Sequence, residues 1–316
     1  MDLWWTETQT PALRLGLRCS AVLARVASPY QEVAILQTEQ YGRLLTLDDM
    51  VMTTEADEFV YHEMLAHPAL LTAGRPRQVL VVGGGDGGAV REVLRHQSVE
   101  RVVLAELDQV VVDLSRAHLP SIAGALGDPR VDFQIGDGCA YLRQAAPASF
   151  DAILVDAPDP IGPAEALFGS AFFSDAARVL APGGALAIQT ESPFLHADLI
   201  RRVQEGLSAA FPLVRLYWAV VPTYPGSLWT FSLATTGVDP LGPGVAERGA
   251  ALATRYWSPD VHRAAFALPP FVMPLAAGCS GLDPRRAAAH APGGQQAAGP
   301  SPTVRGPGQP SGGAGR

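Results

Sequence analysis

The segment Gly83-Gly84-Gly85-Asp86-Gly87-Gly88 sets a carboxylate inside a glycine loop. Glycines at 83, 85 and 88 fit G-x-G-x-x-G between an apolar run, Val79-Leu80-Val81-Val82, and a helical pattern from Val90 to Leu94. Such a turn binds anions through backbone N–H groups and a helix N-terminus. A carboxylate there repels phosphate and attracts a cation, so the loop asks for a nucleoside-like ligand with a positive charge nearby. Acids recur at the ends of the following strand-like runs: Glu106 with Asp108, Asp137 before Gly138, and Asp156 with Asp159. Glu106 stands about 20 residues past the loop, where an acid binds ribose hydroxyls. Carboxylates converging on one crevice repel one another unless a cationic ligand compensates. Asp156 follows the buried-type run Ala152-Ile153-Leu154-Val155 and so sits at the lip of a sheet. A primary ammonium, with a pKa near ~10, must lose a proton before it is a nucleophile. Asp156 is placed to accept that proton, and Asp159 to hold the far ammonium of a diamine. Pro158, Pro160 and Pro163 restrict the loop that carries both acids.

These residues need a sheet to aim them. From Gln78 the chain alternates strand and helix patterns. The strands are 78–82, 101–107, 131–135, 151–155 and 185–189; the helices are 89–96, 109–118, 140–145, 170–179 and 196–211. Strands this apolar are covered on both faces, as in a parallel, doubly wound α/β sheet. Ligands of such sheets sit beyond the C-terminal strand ends, where the acids fall. The runs 215–221 and 229–234 predict a terminal antiparallel pair around the turn Pro222–Ser227, and 260–268 a last helix. Ahead of the alternation, runs 21–26, 32–37 and 43–47 predict a small antiparallel β domain over residues 1–60, with a helix over 57–71. The catalytic unit then spans 61–275. The Ala/Gly/Pro-rich segment 276–316 is expected to be a disordered tail.

A formal net charge of −8 disfavours a nucleic-acid surface and favours cationic small partners. All 23 basic residues are Arg, which excludes a P-loop lysine and a lysine Schiff base. Cys19, Cys139 and Cys279 form no CxxC pair, and the histidines show no metal-ligand spacing, so neither a metal nor a disulfide framework is expected. No run is long and apolar enough for a membrane helix, and the Trp4-Trp5 start lacks the basic region of a signal peptide. A cytoplasmic protein is expected.

The text of the chain resembles spermidine synthase and its relatives, the polyamine aminopropyltransferases. The matching stretches are Tyr41–Asp48, Asp57–Met64, the glycine loop with Arg91-Glu92-Val93, Asp128–Val131, Asp159–Pro163 and Pro222–Pro225; the resemblance covers roughly Leu3 to Pro274. It implies a Rossmann-like, methyltransferase-type fold without a resident cofactor. The donor it implies is a co-substrate, decarboxylated S-adenosylmethionine, and the acceptor putrescine, giving spermidine and methylthioadenosine. The family's nucleoside contacts fall on Gln31, Glu106, Asp137, Gly138 and Pro163, its amine contacts on Tyr61, His62, Asp86, Asp159 and Tyr224, and its proton acceptor on Asp156. Gly83 and Gly85 would admit the donor's backbone approach. A homodimer or homotetramer through the N-terminal sheet is expected, with no nucleic acid or membrane partner.

Other readings stay open. Asp137 could cap the helix beginning near 140, and His62 could fill the core or pair with Glu63. Of Asp57 and Glu58, Asp57 is the stronger site candidate. Two departures from the family are Ala157-Pro158, where many members carry Ser or Thr between the two acids, and Met52, where part of the family has Gln. Cadaverine, agmatine and spermidine also present a primary amine. An amine N-methyltransferase using intact S-adenosylmethionine, a nonenzymatic polyamine- or nucleoside-binding relative and an NAD-dependent dehydrogenase share the glycine loop, but the acids argue against each.

Overall fold

The computed structural model of the chain describes residues 3–276. Apart from Ala276, the expected tail lies outside these residues, as does Cys279. Two sheets form the molecule. The first is antiparallel, in the order β1 (Leu3–Thr10), β2 (Leu13–Ala27), β3 (Glu32–Thr38), β4 (Arg43–Leu47) and β5 (Met50–Thr54). β1 and β5 are additions to the sequence reading, and β2 starts well before residue 21. β5 follows β4 through Asp48-Asp49, both with positive φ (49° and 63°). Asp tolerates that region because its short polar side chain bonds locally, and such a two-residue turn matches the twist of a hairpin.

The second sheet runs β11-β12-β10-β9-β6-β7-β8. β6 (Gln78–Gly83), β7 (Arg101–Glu106), β8 (Val131–Ile135), β9 (Phe150–Asp156) and β10 (Leu180–Gln189) are parallel; β11 (Leu213–Val220) and β12 (Leu228–Thr235) form the antiparallel pair. Alternate residues of β6 enter opposite cores. Val79 and Val81 pack in the cluster that contains Met64 and Leu65, whereas Leu80 and Val82 pack in the one that contains Phe172 and Phe173. The chain leaves the β8 edge and returns as β9 on the other side of β6. This reversal opens a crevice beyond β6 and β9, whose register sets Gly83 opposite Asp156.

Helix α1 (Glu58–Ala73) is buried along most of its length and runs through Pro68. A proline there cannot donate to the carbonyl of residue 64; the Tyr217 hydroxyl donates to the Met64 oxygen instead, at 2.8 Å. Farther along, the Glu63 carboxylate accepts the backbone N–H groups of Arg255, Tyr256 and Trp257 at 2.7–2.8 Å, tying the closing segment to α1. The last helix is Pro259–Ala265, capped by Ser258, and so ends earlier than expected. The two sheets are stitched by Ser28 and Gln31, which donate to Asp108 at 2.6 and 3.1 Å, and by Ser121, which donates to Glu55 at 3.1 Å. Among the described residues no helix is long and apolar enough to cross a membrane.

Candidate active site

The glycine loop bends because its backbone demands it. Gly83, Gly84 and Gly87 have φ of +76°, +74° and +88°, a region costly for residues with a Cβ. A Cβ on Gly83 would fall 2.2 Å from the Asp156 carbonyl oxygen, and one on Gly85 2.9 Å from the Glu106 carboxylate. The loop therefore sits directly on the acids of the neighbouring strands. Gly85 N–H donates to Glu106 Oε2 at 2.9 Å, and Asp108 N–H to its Oε1 at 2.8 Å. Burial still pushes the Glu106 carboxyl up to about 7. Asp86 Oδ1 accepts Gly88 N–H at 2.9 Å at the start of α2 (Gly88–Leu94), and its Oδ2 turns toward His62.

His62 links the acids. Its Nε2 lies 3.4 Å from Asp86 Oδ2 and 3.8 Å from Asp156 Oδ2, while Nδ1 is 2.6 Å from Glu58 Oε2. The sequence alternative of a His62–Glu63 pair is not realised; Glu58, one helical turn back, is the partner, and Glu63 is engaged with backbone. Burial alone would lower the imidazole, but Asp86 and Glu58 outweigh it and hold the ring well above its usual value. Asp86 in turn is held low by the His62 cation despite its burial. Asp156 goes the other way: burial raises it to about 6, with His62 pulling down and Asp86 pushing up. Its Oδ2 is buried and has no hydrogen-bond partner. His62 Nε2 and one oxygen each of Asp86 and Asp156 lie within 4.8 Å of one another, a spacing a metal could use. A ring facing carboxylates from both nitrogens carries both protons, however, and offers no lone pair.

All the residues singled out above as site candidates in the resemblance line one cavity of about 440 Å³: Gln31, Gly83, Gly85, Asp86, Glu106, Asp137, Gly138, Pro163, Tyr61, His62, Asp156, Asp159 and Tyr224. Some also carry structural duties. Gln31 spends its amide N–H on Asp108, and Asp137 caps the helix Gly138–Gln144 by accepting Cys139 N–H at 2.8 Å. Gly138 has no space for a side chain, since a Cβ would meet Val82 at 2.5 Å. The Tyr224 hydroxyl donates to the Met52 carbonyl at 2.6 Å. Asp57, the stronger site candidate in the sequence, does not line this cavity, and neither does Glu58. Asp57 accepts Thr223 N–H and Oγ1–H at 2.9 and 2.8 Å and thereby fixes the turn bearing Tyr224.

Sequence reasoning missed one wall and one corner. Apolar Leu107, Ala164 and Leu167 line the cavity, as does Val111, which packs in one cluster with Leu45, Leu47 and Met52 of the N-terminal sheet. A smaller recess of about 30 Å³ adjoins it, lined by Glu7, Gln189 and Trp229, with Asp159, Met52 and Tyr224 among the shared residues. Glu7 is brought there by β1. Burial pushes it up to about 7, opposed by the Val51 N–H it accepts and reinforced by Asp159. Glu191 is buried and is raised well above its usual value by burial and Asp159. The only local signal for Glu7 is its alternation with Trp5, both being inward-facing on β1.

A cavity of this shape offers close backbone approach for a nucleoside, an apolar wall for its base and carboxylates for cationic groups. Comparison with known proteins agrees. Residues 58–240 match the model of the spermine/spermidine synthase domain, and residues 3–55 that of the spermidine synthase tetramerisation domain. A polyamine aminopropyltransferase of Thermoanaerobacter sp. strain X514 is 48% identical over 272 residues, 86% of this chain and 98% of the relative. One from Moorella thermoacetica is 48% identical over 270 residues, 85% and 95% of the two chains. Among solved structures, a spermidine synthase in complex with the transition-state analogue AdoDATO is 34% identical with a TM-score of 0.84, covering 87% of this chain and 94% of the other. The spermidine synthase of Thermotoga maritima is 33% identical with a TM-score of 0.82 and the same coverage.

Proposed function

The chain belongs to the spermine/spermidine synthase family and is an aminopropyltransferase, and we propose that it moves the aminopropyl group of decarboxylated S-adenosylmethionine onto putrescine. The products are spermidine and methylthioadenosine. One observation carries this reading: the carboxylate of Asp86 stands in the glycine loop beside an open, buried oxygen of Asp156. The donor's nucleoside would lie against Gly83, Gly85, Glu106, Asp137, Gly138 and Pro163, with Gln31 closing over it. Its primary ammonium would face Asp86, whose charge the His62 imidazolium offsets in part. Intact S-adenosylmethionine would bring a carboxylate to the same place.

In the transfer, the lone pair of the acceptor nitrogen attacks the carbon beside the sulfonium. The N–C bond forms as the C–S bond breaks, and its electron pair stays on sulfur. The attacking nitrogen arrives as an ammonium and gives one proton to Asp156. From an amine near ~10 to a carboxylate at about 6, that transfer costs about 5 kcal/mol. Desolvation of the ammonium among Tyr61 and Tyr224 reduces this cost by lowering the amine. The far ammonium of the acceptor fits the recess with Asp159 and Glu7. A volume of about 30 Å³ holds one or two water-sized groups, which suits the end of a short diamine better than a further aminopropyl arm.

No resident cofactor or metal enters these steps. Assembly of copies through the N-terminal sheet, as a dimer or tetramer, is supported by the family match there and by exposed Trp4 and Val22. A cytoplasmic location agrees with substrates of this kind. Incubation with the decarboxylated or the intact donor and an acceptor panel, read by mass spectrometry, tests the function. Methylated amine from the intact donor, or preference for spermidine as acceptor, would refute it.

A further inference from the structure

Glu58 does not line the cavity and cannot touch a substrate, yet it is buried and bonded to the residue that faces both site acids. Its two oxygens receive Arg91 Nη1 and Nη2 at 2.9 and 2.8 Å, a fork-to-fork pair. Arg91 is braced in turn: its Nε is 2.7 Å from Glu92 Oε1, and Glu92 Oε2 is 2.6 Å from Arg95 Nε and 3.3 Å from His67 Nε2. Charges alternate along this line away from the crevice. The His62 ring cannot turn away, because it lies on Gly88, where a Cβ would meet Cε1 at 2.2 Å, and stands edge-on to Tyr61.

We propose that Glu58, braced by Arg91, is a positioning residue for aminopropyl transfer: it fixes His62 as an imidazolium whose Nε2–H stands between Asp86 and Asp156. The proposal rests on the transfer reading of the site. Its physical content is a choice between two states of a crowded pair. Two carboxylates this close, without a cation, share one proton. The shared proton would occupy Asp156 and remove the base before an amine arrives. With the imidazolium between them, Asp86 stays ionised for the donor and Asp156 keeps an oxygen open. The charged and titratable groups facing His62 are Glu58 on its own helix, with Tyr61 beside it, Asp86 from the glycine loop and Asp156 from β9. Asp156 is faced by His62, Asp86 and Tyr61, and its charge also reaches Glu106 and Tyr224.

Two measurements test it. Nitrogen–proton correlation spectra of the ligand-free protein at pH 8 should show His62, identified by its loss in His62→Gln, protonated at both ring nitrogens. In Glu58→Gln the midpoint of that titration should fall by more than one pH unit. The acid limb of kcat/KM for transfer should move up by about one unit, so that activity falls roughly fivefold at pH 6, roughly tenfold well below it, and less than about threefold at pH 9. Arg91→Lys, which keeps the charge but loses the fork, should shift both in the same direction by less. A neutral His62 at pH 8 in the unaltered protein, which needs no variant to fold, overturns the proposal, as does an unchanged acid limb in folded Glu58→Gln. A shifted titration in a chain that forms no spermidine would instead sink the transfer reading and leave the charge relay standing.

Discussion

Replacing Asp86 with Asn tests donor choice with little change of shape. The amide oxygen can still accept Gly88 N–H, now at 2.9 Å, so the loop keeps its turn. What disappears is one negative charge. Two unit charges at ~4 Å attract by about 4 kcal/mol at an effective dielectric near ~20. His62, 3.4 Å from the same carboxylate, cancels part of this. Taking half leaves about 2 kcal/mol, or roughly 30-fold in kcat/KM for decarboxylated S-adenosylmethionine. The intact donor carries a carboxylate next to the same ammonium. Its tail is net neutral, attraction and repulsion nearly cancel, and its binding should change less than about threefold. Calorimetric Kd values for both donors and steady-state transfer with the decarboxylated one give the ratio. If Asp86→Asn preserves the donor preference within about threefold, or weakens both donors equally, the selective role of Asp86 is wrong.

Asp156→Asn should lower turnover by about 10²–10⁴-fold while methylthioadenosine binds as before; near-normal turnover would remove the base. With Asp156 at about 6, kcat/KM should fall tenfold per unit below pH 6 and level above it. Gly83→Ala places a Cβ 2.2 Å from the Asp156 carbonyl oxygen at φ +76°. It should cost about 1–3 kcal/mol in urea unfolding, with activity lost in step. Glu7, Glu106 and Asp156 are each raised on folding, to about 7, 7 and 6. These three carboxyls thus hold more protons in the folded state than in the unfolded chain from about pH 4 to 7, and their contribution to stability falls as pH rises through that window, outweighing the opposite pull of His96, which burial lowers to about 3. Thermal melts without ligand should give a higher Tm at pH 5.5 than at pH 8, and a saturating polyamine should narrow the gap. An equal or higher Tm at pH 8 without ligand would refute this account.

Much of the site was legible because its parts are local in sequence. Gly83 and Gly85 lie between a run that only a twice-covered strand explains and the start of a helix, and strand-end acids fall at one edge once the strands are parallel. The resemblance then assigned partners across the sheet. Other features depend on contacts that no local pattern marks. Pro68 reads as a helix breaker, and only Tyr217, supplied by β11, repairs the carbonyl it orphans. Asp57 and Glu58 are adjacent acids with opposite duties because helix phase separates them. The cap position turns to Thr223, whereas Glu58 meets His62 at i+4, a spacing that can be read in advance. Strands β1 and β5 escaped because each lies at a sheet edge and buries only part of its length, so the apolar signal is thin.

The cavity is a seam: Leu45, Leu47 and Met52 close it from the N-terminal sheet, and the glycine loop and strand-end acids from the other. A ligand held by both walls binds only when they are docked. Its binding free energy is therefore also resistance to local opening, about 2.7 kcal/mol at a hundredfold excess over Kd. Amide hydrogen exchange should register this in the β4–β5 hairpin, which carries Leu45, Leu47 and Met52. Slower exchange there on adding donor would make the hairpin an internal gauge of occupancy, readable without following the reaction.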